Sequence, residues 1–198
     1  MTRRLLLAGV LGGLVLFLWE AVAHMALPLG EAGFRALPGE AVFMASVKEQ
    51  VREDGLYLFP APETRSGMTS AEKSKAMDAA MEKAKIGPSG LLLMHPAGEE
   101  LTATQFVIQL IADVLVMLAA AWVLSKATAV RGLLGRAVFV TVLALIPILQ
   151  VHVPYWNWYG FPAMFVTAAA VTHVVGFFAA GLVLGKMVGA DRSMAAVA

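Results

Sequence analysis

Apolar positions in this chain gather into four long stretches, and between the first and second they alternate with polar ones on shorter periods. The stretches are Leu5–Leu27, Thr104–Leu124, Leu133–Val153 and Ala163–Met187. Each reaches the ~20 residues that carry a helix across a hydrocarbon core about 30 Å thick. The third is clean only from Ala137 and holds Pro147, which has no N–H to continue the helical ladder and should kink it.

The intervening region reads differently. Glu40–Arg52 places Val42, Phe43, Val47 and Val51 near one helical face. Ser70–Lys85 predicts a second helix, opened by Ser70 with Glu72 and Lys73 in its first turn and stopped by Lys83, Lys85 and Gly87-Pro88. After each helix comes a glycine-led apolar run, Gly55–Phe59 before Pro60 and Gly90–Met94 before His95-Pro96. The repetition suggests an αβαβ unit whose two strands pair in parallel across the second helix. The expected fold is therefore an all-α membrane protein. It is a four-helix transmembrane bundle with a small extracytoplasmic αβ cap inserted between helices 1 and 2. Residues 1–29 form the first helix, 30–103 the cap and 104–198 the remaining three helices.

Composition sharpens this picture. Hydrophobic residues make up 59% of the 198 and charged residues 15%, against roughly 45–50% and about 25% in soluble domains. Disorder, a basic nucleic-acid-binding domain and a typical cytosolic enzyme are excluded, and no nucleic-acid partner is expected. The absence of cysteine removes thiolate metal sites and cysteine nucleophiles.

A net charge of +1 conceals a segregation. The N-terminus, the link between spans two and three, and the C-terminus carry Arg3, Arg4, Lys126, Arg131, Arg136, Lys186 and Arg192 against Asp191 alone, a balance of +6. Residues 28–103 hold eight basic and eleven acidic residues, a balance of −3. By the positive-inside rule both termini are cytoplasmic and the long insertion lies outside, in a bacterial inner (plasma) membrane. Tyr155, Trp156, Trp158 and Tyr159, in the link between spans three and four, read as an interfacial aromatic belt. A quinone or lipid-headgroup site is the sharper alternative for those rings. The first span has the three parts of a secretory signal peptide, ending at Ala21-Val22-Ala23. Its apolar character continues to Leu29 and Glu20 sits where a cleavage region rarely needs a charge, so a retained anchor is expected.

Candidate chemistry lies inside the spans, where ionisable groups are expensive and functional by default. Glu20 and His24 are four apart on the first span and share a face; Asp113 lies in the second span and His173 in the fourth. At about 1.5 Å per residue, Asp113 and His173 each lie roughly 14 Å from the outer end, and Glu20 roughly 11 Å. An intramembrane polar cluster of Glu20, His24, Asp113 and His173 is expected, with His152 and Gln150 as additional members at the outer boundary. An imidazolium facing a carboxylate would neutralise it. The same His and carboxylate types could ligate a metal, and two histidines a non-covalent b-type haem, but no tight metal motif occurs and no cofactor is expected. Gly9 with Gly13, and Gly181, Gly185 and Gly189, form small-residue stripes for packing within the chain or against another subunit or a second copy. No GxSxG, Walker loop or dinucleotide fingerprint is found. The expected role is a non-enzymatic accessory or scaffold subunit in the lipid bilayer. The alternatives are a redox, metal- or haem-binding membrane protein and a small proton-coupled carrier.

Overall fold

The computed structural model describes residues 2–188, so Gly189, Asp191 and Arg192 lie outside the described residues. The chain forms two compact units, one of Arg35–Glu100 and the other of the residues before and after it.

Four helical spans make up the second of these units: α1 (Arg3–Met25), α4 (Ala103–Lys126), a composite span from Leu133 to Tyr159, and α8 (Ala163–Met187). All four are long and apolar enough to cross a membrane, as expected of a multi-pass membrane protein. Thr102 starts α4 with a capping box, its hydroxyl and backbone N–H both donating to Gln105 Oε1. Helix α1 packs against α4 and α8, and α8 against α5, the first segment of the composite span. Their shared core includes Leu16, Met117, Leu124, Val140, Phe177 and Leu184. Arg136 closes the end of α8 by donating to the carbonyls of Gly185 and Val188.

The described glycines of both small-residue stripes pack inside the chain. A Cβ on Gly13 would lie 2.5 Å from the Cα of Val114, and one on Gly9 2.8 Å from the Cα of Leu118. On α8, a Cβ at Gly181 would lie 2.9 Å from the carbonyl oxygen of Ala137, and Gly185 faces that of Leu133 at 3.2 Å. Glycine is what lets these backbones touch.

The composite span departs from a simple kink. Helix α5 (Leu133–Leu143) leads through the single turn α6 (Leu145–Pro147) into a π-helical turn at Ile148–His152, and then into α7 (Val153–Tyr159). Pro147 removes one ladder bond, and the wider turn resumes the helix rather than ending it. Pro154 is tolerated in the first turn of α7, and Gly160, at φ +71°, stops it. The four aromatic residues therefore belong to a helix that continues the third span, not to a link as expected. The link is only Gly160–Pro162. Tyr155 stacks on Phe161 at 5.0 Å, while Trp158 is 79% exposed.

In the Arg35–Glu100 unit, α2 (Glu40–Gln50), β1 (Gly55–Phe59), α3 (Ser70–Ile86) and β2 (Gly90–Met94) follow the expected order. The strands pair antiparallel, with Gly55 opposite Met94 and Phe59 opposite Gly90, which corrects the parallel expectation. The reason lies in the loop between β1 and α3. It runs back along the helix, bringing Glu63 to 3.2 Å from Lys83, and α3 then returns to the end it left. Two passes cancel, so β2 enters beside the end of β1. His95 sits between Asp54 (3.5 Å) and Glu99 (3.1 Å) where the strand ends meet. The expected apolar face of α2 is not covered, since Val42 is 78% exposed and no α2 residue is buried.

Helix α3 begins at Ser70 as expected, but its cap is the residue before it. Thr69 caps it, and a capping box joins Thr69 to Glu72. The backbone N–H of Thr69, and then its hydroxyl, hold the Glu72 carboxyl below the usual carboxylate range. This contribution is complete above the ordinary carboxylate pKa and is lost as pH falls through the lowered value. Amide protection in the first turn of α3, relative to intrinsic exchange, should therefore fall in acid, and Glu72→Gln should abolish that dependence. Equal protection in the two proteins at every pH would refute it.

Candidate functional site

The polar residues of the spans meet at the end of the helical unit where α1 finishes and α4 and α8 begin. There they border a cavity of about 500 Å³. Glu20 and His24 reach it from α1, Gln105 and Gln109 from α4, His152 from the π-helical turn and His173 from α8. Phe17, Phe106 and Phe165 supply much of its apolar wall.

Two hydrogen-bond networks occupy this end. In the first, Gln109 Nε2 donates to Glu20 Oε2 and to Asp113 Oδ1, both at 2.9 Å. One amide thereby ties α1 to α4 and serves two carboxylates. Asp113 is only 4% exposed, and its second oxygen has no hydrogen-bond partner. In the second, the Nε2 atoms of His152 and His173 are 3.0 Å apart, joining the third span to α8. One ring must donate and the other accept. Both Nδ1 atoms are buried without partners. Phe165 and Phe177 stand edge-on to the two rings at 6.4 Å.

A third contact holds α1 on α8. The Trp19 indole N–H donates to the carbonyl of Thr172 at 2.8 Å, and the Thr172 hydroxyl donates to that of Ala168. Gly176 sits beside Leu16 and Trp19, leaving room for the ring.

The outcome for the expected residues is mixed. Glu20, His24 and His173 line one cavity, and Asp113 is reached through Gln109. His173 does not neutralise a carboxylate as expected, because its Nε2 is taken by His152. His152 is no boundary residue: the helix runs seven residues past it, which places it inside the span. His24 turns back on its own helix, its Nδ1 2.9 Å from the carbonyl of Glu20. Gln150 is exposed and lies off the cavity wall. Among the described residues, no three His, Asp or Glu side chains come together as a metal-binding group.

Sequence reasoning passed over Gln109 because it carries no charge. The available signal was its spacing, one helical turn before Asp113, which puts an amide beside a carboxylate that needs a donor. The pairing of His152 with His173 had no such signal, since it depends on where the π-helical turn points His152. No protein-family model, curated protein or solved structure matches the chain.

Proposed function

We propose that this chain is a multi-pass protein of a bacterial inner (plasma) membrane, a non-enzymatic accessory or scaffold subunit that binds a small molecule in its helical unit. The observation that carries this is the cavity of about 500 Å³, walled by aromatic and aliphatic side chains with a few convergent polar groups. Small-molecule sites have that size and that lining. A non-enzymatic role is supported by the disposition of the hydroxyls. Thr172, on the cavity wall, donates its hydroxyl to the Ala168 carbonyl of its own helix rather than to a base.

The segregated charges support cytoplasmic termini and an outside Arg35–Glu100 unit. That unit offers a surface for another membrane subunit or a second copy, with Leu56, Leu58 and Leu93 each more than half exposed on the two-stranded sheet. Ser66→Cys should react with an impermeant thiol reagent in intact cells, and Thr128→Cys only after permeabilisation. The reverse pattern would overturn the orientation.

A metal- or haem-binding role is the alternative, favoured by the His152–His173 pair. Two features weigh against it. Ligation through both Nε2 atoms would leave a proton on each Nδ1, and both are buried with no acceptor. Metal-bound histidines ordinarily donate that proton to a carboxylate or carbonyl. A haem iron would also have to enter between rings already in hydrogen-bond contact. Native mass spectrometry of the detergent-purified chain separates the two roles. A co-purified small molecule, lost on filling the cavity with Ala169→Trp, is the expected result. Stoichiometric metal or a haem absorption band would replace this proposal with the alternative.

A further inference from the structure

Resting on that proposal, we infer that the cavity takes an organic cation: a lipophilic amine whose ammonium group pairs with Glu20 while its apolar body lies along Phe17, Phe106 and Phe165.

The charge pattern is one-sided. Titratable groups facing or adjoining the cavity are Glu20 and His24 on α1, Asp113 on α4 behind Gln109, His152 on the third span and His173 on α8. No lysine or arginine lines it. The described basic residues of the helical unit all belong to the opposite end. Arg3 and Arg4 start α1, Lys126 ends α4, Arg131 and Arg136 flank the start of α5, and Lys186 closes α8. At about 1.5 Å per residue, Arg4 is roughly 24 Å along α1 from Glu20. Among the described residues of the helical unit, no lysine or arginine is placed to pair with the two carboxylates.

The carboxylates themselves have few donors. A carboxylate only accepts, and the Gln109 amide has two N–H groups. Both are already committed, one to Glu20 and one to Asp113. The His152 and His173 Nε2 atoms are committed to each other, and the Trp19 N–H to a backbone carbonyl. The two carboxylates therefore share one amide, and Asp113 Oδ2 is buried and unpartnered. A primary or secondary ammonium supplies what is missing, N–H donors and one positive charge. Aromatic faces suit such an ion, since their quadrupoles attract cations and the desolvated setting strengthens the attraction. Whichever partner holds the proton before binding, the bound pair is neutral as a whole, which hydrocarbon surroundings favour. An anion would meet the carboxylates without a compensating cation, and a neutral alcohol would bring one donor and no charge.

The test uses the full chain in detergent micelles and three probes of one shape: 4-phenylbutylamine, 4-phenylbutanol and 4-phenylbutyrate, titrated by calorimetry with empty micelles as blank. The amine should bind at least ten-fold more tightly than the alcohol, and the carboxylate should not bind. Glu20→Gln should bring amine and alcohol to equal affinity, and Ala169→Trp should remove both. Equal binding of amine and alcohol to the unaltered chain, lost in Ala169→Trp, would overturn the cation inference and leave the binding cavity standing. Binding that survives Ala169→Trp, or no binding of any probe, would overturn both. The comparison of probes on the unaltered chain needs no variant to fold.

Discussion

Gly13→Val is expected to destabilise the helical unit by about 3 kcal/mol, the upper part of the usual range for overpacking a filled interior. The obstacle is backbone rather than a side-chain tip: a Cβ at Gly13 meets the Cα of Val114 at 2.5 Å and its nitrogen at 2.7 Å. Helices α1 and α4 can relieve that overlap only by moving apart. Gly9, Gly13 and Glu20 lie on one stripe of α1, at steps of four and seven residues. The glycines thus set the separation at which Glu20 reaches Gln109 at 2.9 Å. Separation at Gly13 should weaken that bond as well as the packing. Gly135→Ala is the matched control, a helical glycine with no atom within 4 Å of its would-be Cβ. It should be neutral or stabilising by up to about 1 kcal/mol, from helix propensity. Denaturant titration of the two variants in detergent, followed by helical signal, checks the pair. Equal stability would mean that the two helices do not approach as closely as described.

Gln109→Leu is expected to have the second largest effect, a loss of about 1–3 kcal/mol. Leucine nearly preserves the shape and removes both N–H donors at once. Asp113 would then be a buried carboxyl with no hydrogen-bond partner at either oxygen, and Glu20 would lose its hydrogen bond to α4. Removing one member of a buried network costs more than the bond itself, because the partner keeps its desolvation penalty. The sharper measurement is a double-mutant cycle. Gln109→Ala and Asp113→Ala should couple by about 0.5–3 kcal/mol, as partners in one network do. Asp113→Ala and His173→Ala should couple less, since the His173 hydrogen bond goes to His152. A larger coupling in the second pair than in the first would return His173 to the carboxylates and undo the two-network description.

How far the site was legible follows from what each residue needs. Glu20, Asp113 and His173 stand out in sequence because charge-bearing groups inside apolar spans have a cost that almost any fold must meet. Their common depth is also a sequence property, since helix rise is constant. Their partners are not. Gln109 is an ordinary polar residue until α1 brings Glu20 to it. His152 looks like a boundary residue until the π-helical turn after Pro147 carries the helix on to Tyr159.

By itself the sequence determined that four helices are long and apolar enough to span a bilayer, where each begins and ends to within a few residues except at the far end of the third, and the order of elements in the Arg35–Glu100 unit. Those follow from local physics: hydrophobic length, caps and stop signals act within a few residues of where they are written. Tertiary structure alone decided the antiparallel strand pairing, because the path of a ten-residue loop along α3 has no periodic signature. It also decided that Gly9, Gly13, Gly181 and Gly185 pack inside the chain, and that the carboxylates share an amide while the histidines pair with each other. Each of these depends on which helix faces which, and a residue's own sequence neighbours carry no record of that.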